Sequence, residues 1–300
     1  MSSRWVLLLV AVLSAAGCRG KRPPAPAGTR IVSLSPSATE VVAALGATAQ
    51  LVGVDTYSSF PPEVAGLPRV GTYLAPDVEA IARLRPSVVI SDDVHASAAA
   101  GLRSLGIPTV PCPMHALPDV RAGLTRVGAA IGRERQAAAA VAAIDAALDA
   151  SAARRTARLA AGGRRPRVLL VIDRAAGSLD NLVAAGSGSW LDELVAVVGG
   201  DNVLAGVGAR YPKIGREEVL RAQPDLILDV AYAADPATAA AEWGALAVPA
   251  TAASAGGRGV VVRKDAFLLG PSPRVAEALA AVEVVIEAAS LERPAPGPAR

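Results

Sequence analysis

The sequence predicts an α/β protein of two Rossmann-like lobes, each with a central parallel sheet, joined by one long backbone helix. Three observations carry that reading. Short apolar, β-branched runs alternate with stretches of helical period on both sides of the chain's middle, the pattern of parallel sheets covered on both faces. Between them, residues 133–161 (RERQAAAAVAAIDAALDASAARRTARLAA) contain neither Pro nor Gly and are bounded by Gly132 and by Gly162-Gly163. One supersecondary unit also recurs: Glu79-AIARLR-Pro86-SVVI and Glu217-EVLRAQ-Pro224-DLIL stand 138 residues apart, each with a glutamate near a helix start and an apolar strand after the proline.

In chain order, residues 1–17 read as a lipoprotein signal peptide. Arg4 supplies the basic start, Trp5 to Leu13 form an apolar run too short to span a bilayer, and small residues lead to Cys18. The end of the run, LSAAGC, resembles the bacterial lipobox, in which Cys18 receives a diacylglycerol and becomes the mature N-terminus. Residues 18–29 are a Pro-rich tether that cannot fold by itself.

Residues 30–131 form the N-terminal lobe. RIVSL is a strand, and Ser37 to Glu40 read as a capping box opening the helix TEVVAALG. LVGVD is the next strand, followed by a long loop over 56–76; then DVEAIARL, SVVIS, ASAAAGLRSLG, PTVP and PDVRAGLTRVGAAIG alternate helix and strand. Residues 132–163 are the linking helix, whose 29 central residues span roughly 40 Å at 1.5 Å each. Its apolar stripe is Val141, Ile144, Leu148 and Leu159.

Residues 164–290 form the C-terminal lobe. PRVLLVID is a strand apolar enough to be buried on both faces, and 175–189 a loop. SWLDELVAVVGG, GREEVLRA, DPATAAAEWGAL and the run from Pro271 to Ser290 are helices, with PDLILDV and GVVVRK as strands. Residues 291–300 are a loose, Pro-rich tail.

Composition excludes several functions. The net charge is +3 and the arginines are scattered, so there is no footprint for nucleic acid. Cys112 has no cysteine partner once Cys18 is lipidated, so no disulfide is expected. His95 and His115 lack a second ligand at helical spacing, and no metal site is expected. Gly186-Ser187-Gly188-Ser189 fits neither a nucleophile elbow nor a phosphate loop, and Asp92-Asp93 reads as a helix cap or loop lining, so no catalytic residue is assigned.

The aromatics say more. Outside the leader there are eight: Trp190 and Trp243 in helices, and Tyr57, Phe60, Tyr73, Tyr211, Tyr232 and Phe267 in or beside loops. Tyr57, Phe60, Tyr232 and Phe267 follow strands, at the sheet edge where parallel α/β folds bind ligands. Rings at strand ends in both lobes predict a cleft with flat apolar walls.

RIVSLSPSATEVVAALG, LVGVDTYSSFPPEV, GTYLAPDVEAIARLRPSVVI, the strut, GSWLDELVAVVGGDNV, YPKIGREEVLRAQPDLIL and GPSPRVAEAL together resemble the helical-backbone (class III) substrate-binding proteins of bacterial ABC importers, from about Arg30 to Ser290. That resemblance implies a monomer at the periplasmic membrane or cell surface. It would take ligand between its lobes without resident cofactor and pass it to a permease and ATPase. The match is strongest to members carrying a corrinoid, cobalamin; a ferric siderophore or haem is the alternative. On that resemblance Tyr57 matches a cleft tyrosine, while Tyr73 and Tyr211 stand where tryptophans lie against the ligand. Asp265 matches an acid at the cleft edge, although Leu268 and Leu269 replace the arginine that follows it in the family. Phe267 joins these as a ligand contact. Glu79 and Glu217 match the lobe-tip glutamates that pair with permease arginines, one like charge per lobe for a two-fold partner.

Overall fold

A computed structural model describes residues 28–253 and 259–290. The leader, Cys18, nearly all of the tether and the tail from Leu291 fall outside the described residues.

The first lobe runs β1 (Ile31–Ser33), α1 (Pro36–Ala44), β2 (Leu51–Val54), α2 (Val78–Arg83), β3 (Val88–Ser91), α3 (Ala96–Ser104), β4 (Thr109–Pro111) and α4 (Leu117–Ala130). Its sheet is parallel throughout, in the order β2-β1-β3-β4. The chain leaves β1 in one direction and reaches β3 in the other, which opens a crevice at the carboxyl ends of those two strands. The cap of α1 differs from expectation. Ser35, extended at φ −150°, accepts from Ala38 N at 3.2 Å with Pro36 in the first turn. A proline there has no N–H to lose and a φ already set for helix, so the helix starts before Ser37. Glu40 is thereby released from capping and reaches Ser272 of the other lobe.

The linking helix is α5 (Glu134–Ala160). Its first half lies against α4 so closely that a Cβ on Gly128 would sit 2.7 Å from the Ala137 methyl. Ala137, Ile144 and Ser151 are buried at seven-residue steps, with Val141 and Leu148 partly buried beside them. Its second half is fastened to the other lobe by arginines. Arg154 forms a two-pronged pair with Glu283 at 2.7 Å on each prong. Arg155 donates to Ala196 O and Val197 O, and Arg158 to Val198 O. Those carbonyls lie in the last turn of a helix, where backbone donors run short, so the strut helps to complete its neighbour's C-terminus.

The second lobe comprises β5 (Arg167–Asp173), β6 (Leu182–Ala184), α6 (Trp190–Val198), β7 (Asp201–Asn202), β8 (Lys213–Ile214), α7 (Arg216–Ala222), β9 (Leu226–Asp229), α8 (Ala239–Trp243), α9 (Pro249–Ala253), β10 (Val260–Val262) and α10 (Val275–Ser290). The parallel centre is as expected: β5 pairs with β7 and β9, and β9 with β10. The sheet is nevertheless mixed, because β6 inside the expected loop runs antiparallel to β5 and to β8. Strands of two or three residues between glycines show no period in sequence. The helix expected over 235–246 shortens to α8, and the last helix begins at Val275 because Pro271 and Pro273 cannot donate to a helical ladder. Trp190 and Trp243 are core residues, at 2% and 0% exposure.

The repeated unit is a structural repeat. Glu79 and Glu217 each take the second position of α2 and α7. Both helices stop at a left-handed residue before proline, Arg85 at φ 46° and Gln223 at φ 45°. The αR region is disfavoured ahead of proline, so neither helix continues into Pro86 or Pro224.

Candidate functional site

The carboxyl ends of the two sheets face each other, and two polar ties hold their base. Glu40 of α1 accepts from the Ser272 hydroxyl, and Glu193 of α6 accepts from Leu117 N at 2.6 Å. Burial raises the carboxyls of both Glu40 and Glu193 above the usual range. Between the ties lies a cleft with two unlike ends.

One end is formed by the loop after β2 and the turn after β10, joined through Arg274. Asp55, 1% exposed, accepts from Tyr57 N at 2.8 Å and from the Ser58 hydroxyl. This Asx turn throws the Tyr57 ring outward, where it is 63% exposed. Arg69 donates to Asp55 O at 3.1 Å and Ser58 O at 2.7 Å, which pins the same loop. The Arg274 guanidinium carbon lies 4.2 Å from the Phe60 ring centre and 4.5 Å from that of Phe267, so a cation is layered between one ring from each lobe. Phe267 is positioned by its carbonyl, which accepts from Trp190 Nε1 at 3.1 Å. Asp265 pairs with Arg263 at 2.7 Å, so an arginine two places before it meets the acid. Lys264 donates to Ala231 O at 3.0 Å and Tyr232 O at 2.6 Å and lies 5.9 Å from the exposed Tyr232 ring.

The other end is formed by the residues that follow β3 and β4, with Tyr211 of the second lobe within electrostatic reach. Asp92, at the end of β3, accepts from Tyr73 Oη at 3.2 Å and from Asp93 N at 2.6 Å. His95 Nδ1 accepts from Asp92 N at 2.9 Å, which leaves Nε2 as the donor to Tyr73 O at 2.6 Å and makes the imidazole neutral. Burial lowers the His95 pKa, in keeping with that state. His115, following β4, places Nε2 3.0 Å from Asp93 Oδ2. Burial and its neighbour Asp93 push Asp92 up to about 6, while hydrogen bonds from Asp92 and His115 hold Asp93 down at about 2. Burial first, then Asp92, raises the Tyr73 phenol. Tyr211, 44% exposed, lies within electrostatic reach of Tyr73 from the opposite lobe, beside Arg210 and Glu193.

Phe267 thus meets Phe60 through Arg274, Tyr73 lies within electrostatic reach of Tyr211, Tyr57 is exposed on the loop that carries Phe60, and Asp265 is held by Arg263. Glu79 and Glu217 stand apart from the cleft, exposed on the first turns of α2 and α7, Glu79 being 3.8 Å from Arg83. Arg274, Glu40 and Glu193 carry no local signal in sequence, since their partners lie on the other lobe. His115 has no ligand close to it along the chain. Folding supplies Asp92 and Asp93, and the three donor atoms lie within 4.8 Å of one another, the one such group among the described residues that could hold a small cation. Cys112 is a buried thiol pushed up to about 12 by burial, so it is held as the unreactive thiol.

A family model described as periplasmic binding protein matches residues 31–232. The chain is 27% identical over 227 residues to a vitamin B12-binding protein of Salmonella typhimurium, covering 73% of this chain and 79% of that one. Among solved structures it is similar to the periplasmic haem-binding protein RhuT of Roseiflexus sp. RS-1 in apo form, with a TM-score of 0.76, 26% identity and coverage of 87% and 99%. A periplasmic haem-binding protein of Pseudomonas aeruginosa superposes with a TM-score of 0.72 at 27% identity, covering 86% and 92%.

Proposed function

The chain belongs to the periplasmic binding protein family, and on that premise we propose that it is a lipid-anchored carrier of an ABC importer that captures cobalamin or a related corrinoid between its lobes and delivers it to the permease. The observation that carries this reading is the cleft itself. Tyr57, Phe60 and Phe267 wall one end and Tyr73 and Tyr211 the other, so a broad, flat ligand meets rings from both lobes. Apolar burial against such rings supplies affinity, and the carboxylates and hydroxyls at the ends fix orientation. The vitamin B12-binding relative supports the choice of ligand. Cys18 holds the lipid, and the tether lets the lobes reach the permease, with Glu79 and Glu217 presenting one anion per lobe to a symmetric partner.

A haem carrier of the same fold is the second reading, favoured by the haem-binding structural relatives and by tyrosine hydroxyls in the cleft that could ligate iron. One experiment separates the two. The protein is purified from cells grown with cobalamin and with haem, its absorbance spectrum recorded, and each ligand titrated by calorimetry. Corrinoid bands and a one-to-one corrinoid isotherm are expected. A Soret band with haem binding and no corrinoid heat would replace the first reading with the second.

A further inference from the structure

The two lobes repeat one arrangement at the amino ends of their sheets and differ in its charge. Arg30, just before β1, gives its amide to Ser87 Oγ at 2.8 Å and its guanidinium to Leu84 O, at the end of α2. Arg167, which begins β5, gives its amide to Asp225 Oδ2 at 2.9 Å and its guanidinium to Ala222 O, at the end of α7. Ser87 follows Pro86 as Asp225 follows Pro224, so one step of the repeat holds a hydroxyl in the first lobe and a carboxylate in the second. That carboxylate also pairs with Arg164 at 2.7 Å, and Asp201 pairs with Arg165 at 2.6 Å. The second lobe's end is thereby neutralised.

In the first lobe the acceptors are neutral. Arg30, Arg85 and Arg103 are exposed; Arg30 bonds a carbonyl and Arg103 the Thr109 hydroxyl at 2.8 Å, neither of which cancels charge. Arg83 lies 3.8 Å from Glu79 with side chains 67% and 89% exposed, where solvent screens the pair. Where α4 turns into α5, Arg135 is offset by Glu134. Arg30 leads into β1, Arg85 into β3 and Arg103 into β4, which are parallel neighbours, so arginines scattered along the chain meet at one end of the sheet. Leu105, 60% exposed, shares the turn after Arg103. The chain also enters here: Gly28 is ten residues after Cys18, a span of at most about 36 Å, and Arg19, Lys21 and Arg22 lie along it.

Resting on the lipid anchor proposed above, we infer that this end of the first lobe is a second membrane contact, lying against the anionic phospholipid surface in which Cys18 is held. Each basic residue close to such a surface strengthens binding about fivefold, and the attraction fades within a Debye length. A short basic tether keeps the end within reach of that field, and the exposed Leu105 adds an apolar contact at the headgroups. Because the carboxyl ends of the two sheets face each other, the neutralised end of the second lobe points away from the bilayer in this pose.

The test uses the mature chain with Cys18→Ser, which carries no lipid, and sedimented vesicles of phosphatidylcholine alone or with about 30 mol% phosphatidylglycerol. In about 50 mM salt the partition coefficient onto the anionic vesicles should exceed that onto the neutral ones about tenfold or more, and in about 500 mM salt it should fall at least about fivefold. Arg85→Glu with Arg103→Glu should lower anionic binding about tenfold, and the milder Arg85→Gln with Arg103→Gln about threefold. Lys213→Glu with Arg216→Glu, the same change of net charge on the second lobe, should stay within about twofold of the parent. Equal binding to both vesicles, or equal losses in the two charge-reversed pairs, would overturn the inference, since the field would be absent or would belong to the whole protein. The anchor is tested separately by the mass of the N-terminal peptide of the parent. No diacylglycerol on Cys18 overturns that reading and the inference with it, whereas a lipidated parent whose Cys18→Ser form ignores anionic vesicles overturns the inference alone.

Discussion

Replacing Arg274 by alanine should destabilise the protein by about 2.5 to 3.5 kcal/mol, the sum of three kinds of contact that meet in one side chain. The guanidinium lies 4.2 Å and 4.5 Å from the Phe60 and Phe267 ring centres, and each such contact contributes about 0.5–1 kcal/mol when part-exposed. Its pair with Glu277, whose side chain is 54% exposed, adds about 0.5 kcal/mol in a solvated setting. The aliphatic stem packed beside the rings adds about 1 kcal/mol. Phe60 belongs to the first lobe and Arg274 to the second, so the stack joins the lobes. A double-mutant cycle isolates it: Arg274→Ala, Phe60→Leu and the pair, each unfolded in urea at one pH. Coupling of about 0.5–1 kcal/mol is expected between the two positions. Arg274→Lys should retain less than half of it, because an ammonium does not stack on a ring as a planar guanidinium does. Coupling below about 0.2 kcal/mol would refute the reasoning, since the layered geometry would then carry no energy.

Asp92 gives a pH-dependent test. Its pKa rises from 3.8 to about 6 on folding, so its stabilisation is complete below about pH 4 and is lost as pH climbs through about 6. The opposite shift of Asp93, down to about 2, acts below that window. Asp92→Asn should gain about 2 kcal/mol on the parent between about pH 4 and pH 8 in urea melts; an offset equal at both ends would rule the mechanism out. The Glu79→Ala, Glu217→Ala double variant should keep ligand affinity within about twofold while uptake falls about tenfold or more, and unchanged uptake would sink the docking role. Spin labels at positions 79 and 217 should report a distance that changes by less than about 2 Å on ligand binding, and a larger change would show that α5 bends.

The parts of the fold that were legible in sequence are those whose cause is local. The absence of Pro and Gly marked α5, apolar runs marked β1, β3, β5 and β9, and the repeated Glu-to-Pro spacing marked α2 and α7 as equivalents. Strands β6 and β8 were hidden because two or three residues cannot display a period, and their pairing depends on β5 as a template. Tyr57, Phe60 and Phe267 stand out in sequence because aromatic residues are scarce and these follow strands, whereas Tyr73 and Tyr211 are singled out by the resemblance alone. Arg274, Glu40 and Glu193 were not legible, because what makes each of them matter is a partner across the lobes. His115 shows the same limit in miniature: its acid lies 22 residues upstream and is brought to it by the adjacency of β3 and β4.

A ribosome completes the first lobe while the second half of α5 still has nothing to hold. Until α6 and α10 emerge, Arg155 and Arg158 lack the carbonyls they cap, and Arg154 lacks Glu283. A chain cut after Ala161 would therefore give one fragment ending in an unanchored basic helix and another whose α6 has lost the arginines on its last carbonyls. A cut before Glu134 would keep those contacts together in the second piece. In order of synthesis the helix comes with the first lobe, where Arg121 already meets Asp145; in the order the arginines of its second half are satisfied, it comes with the second.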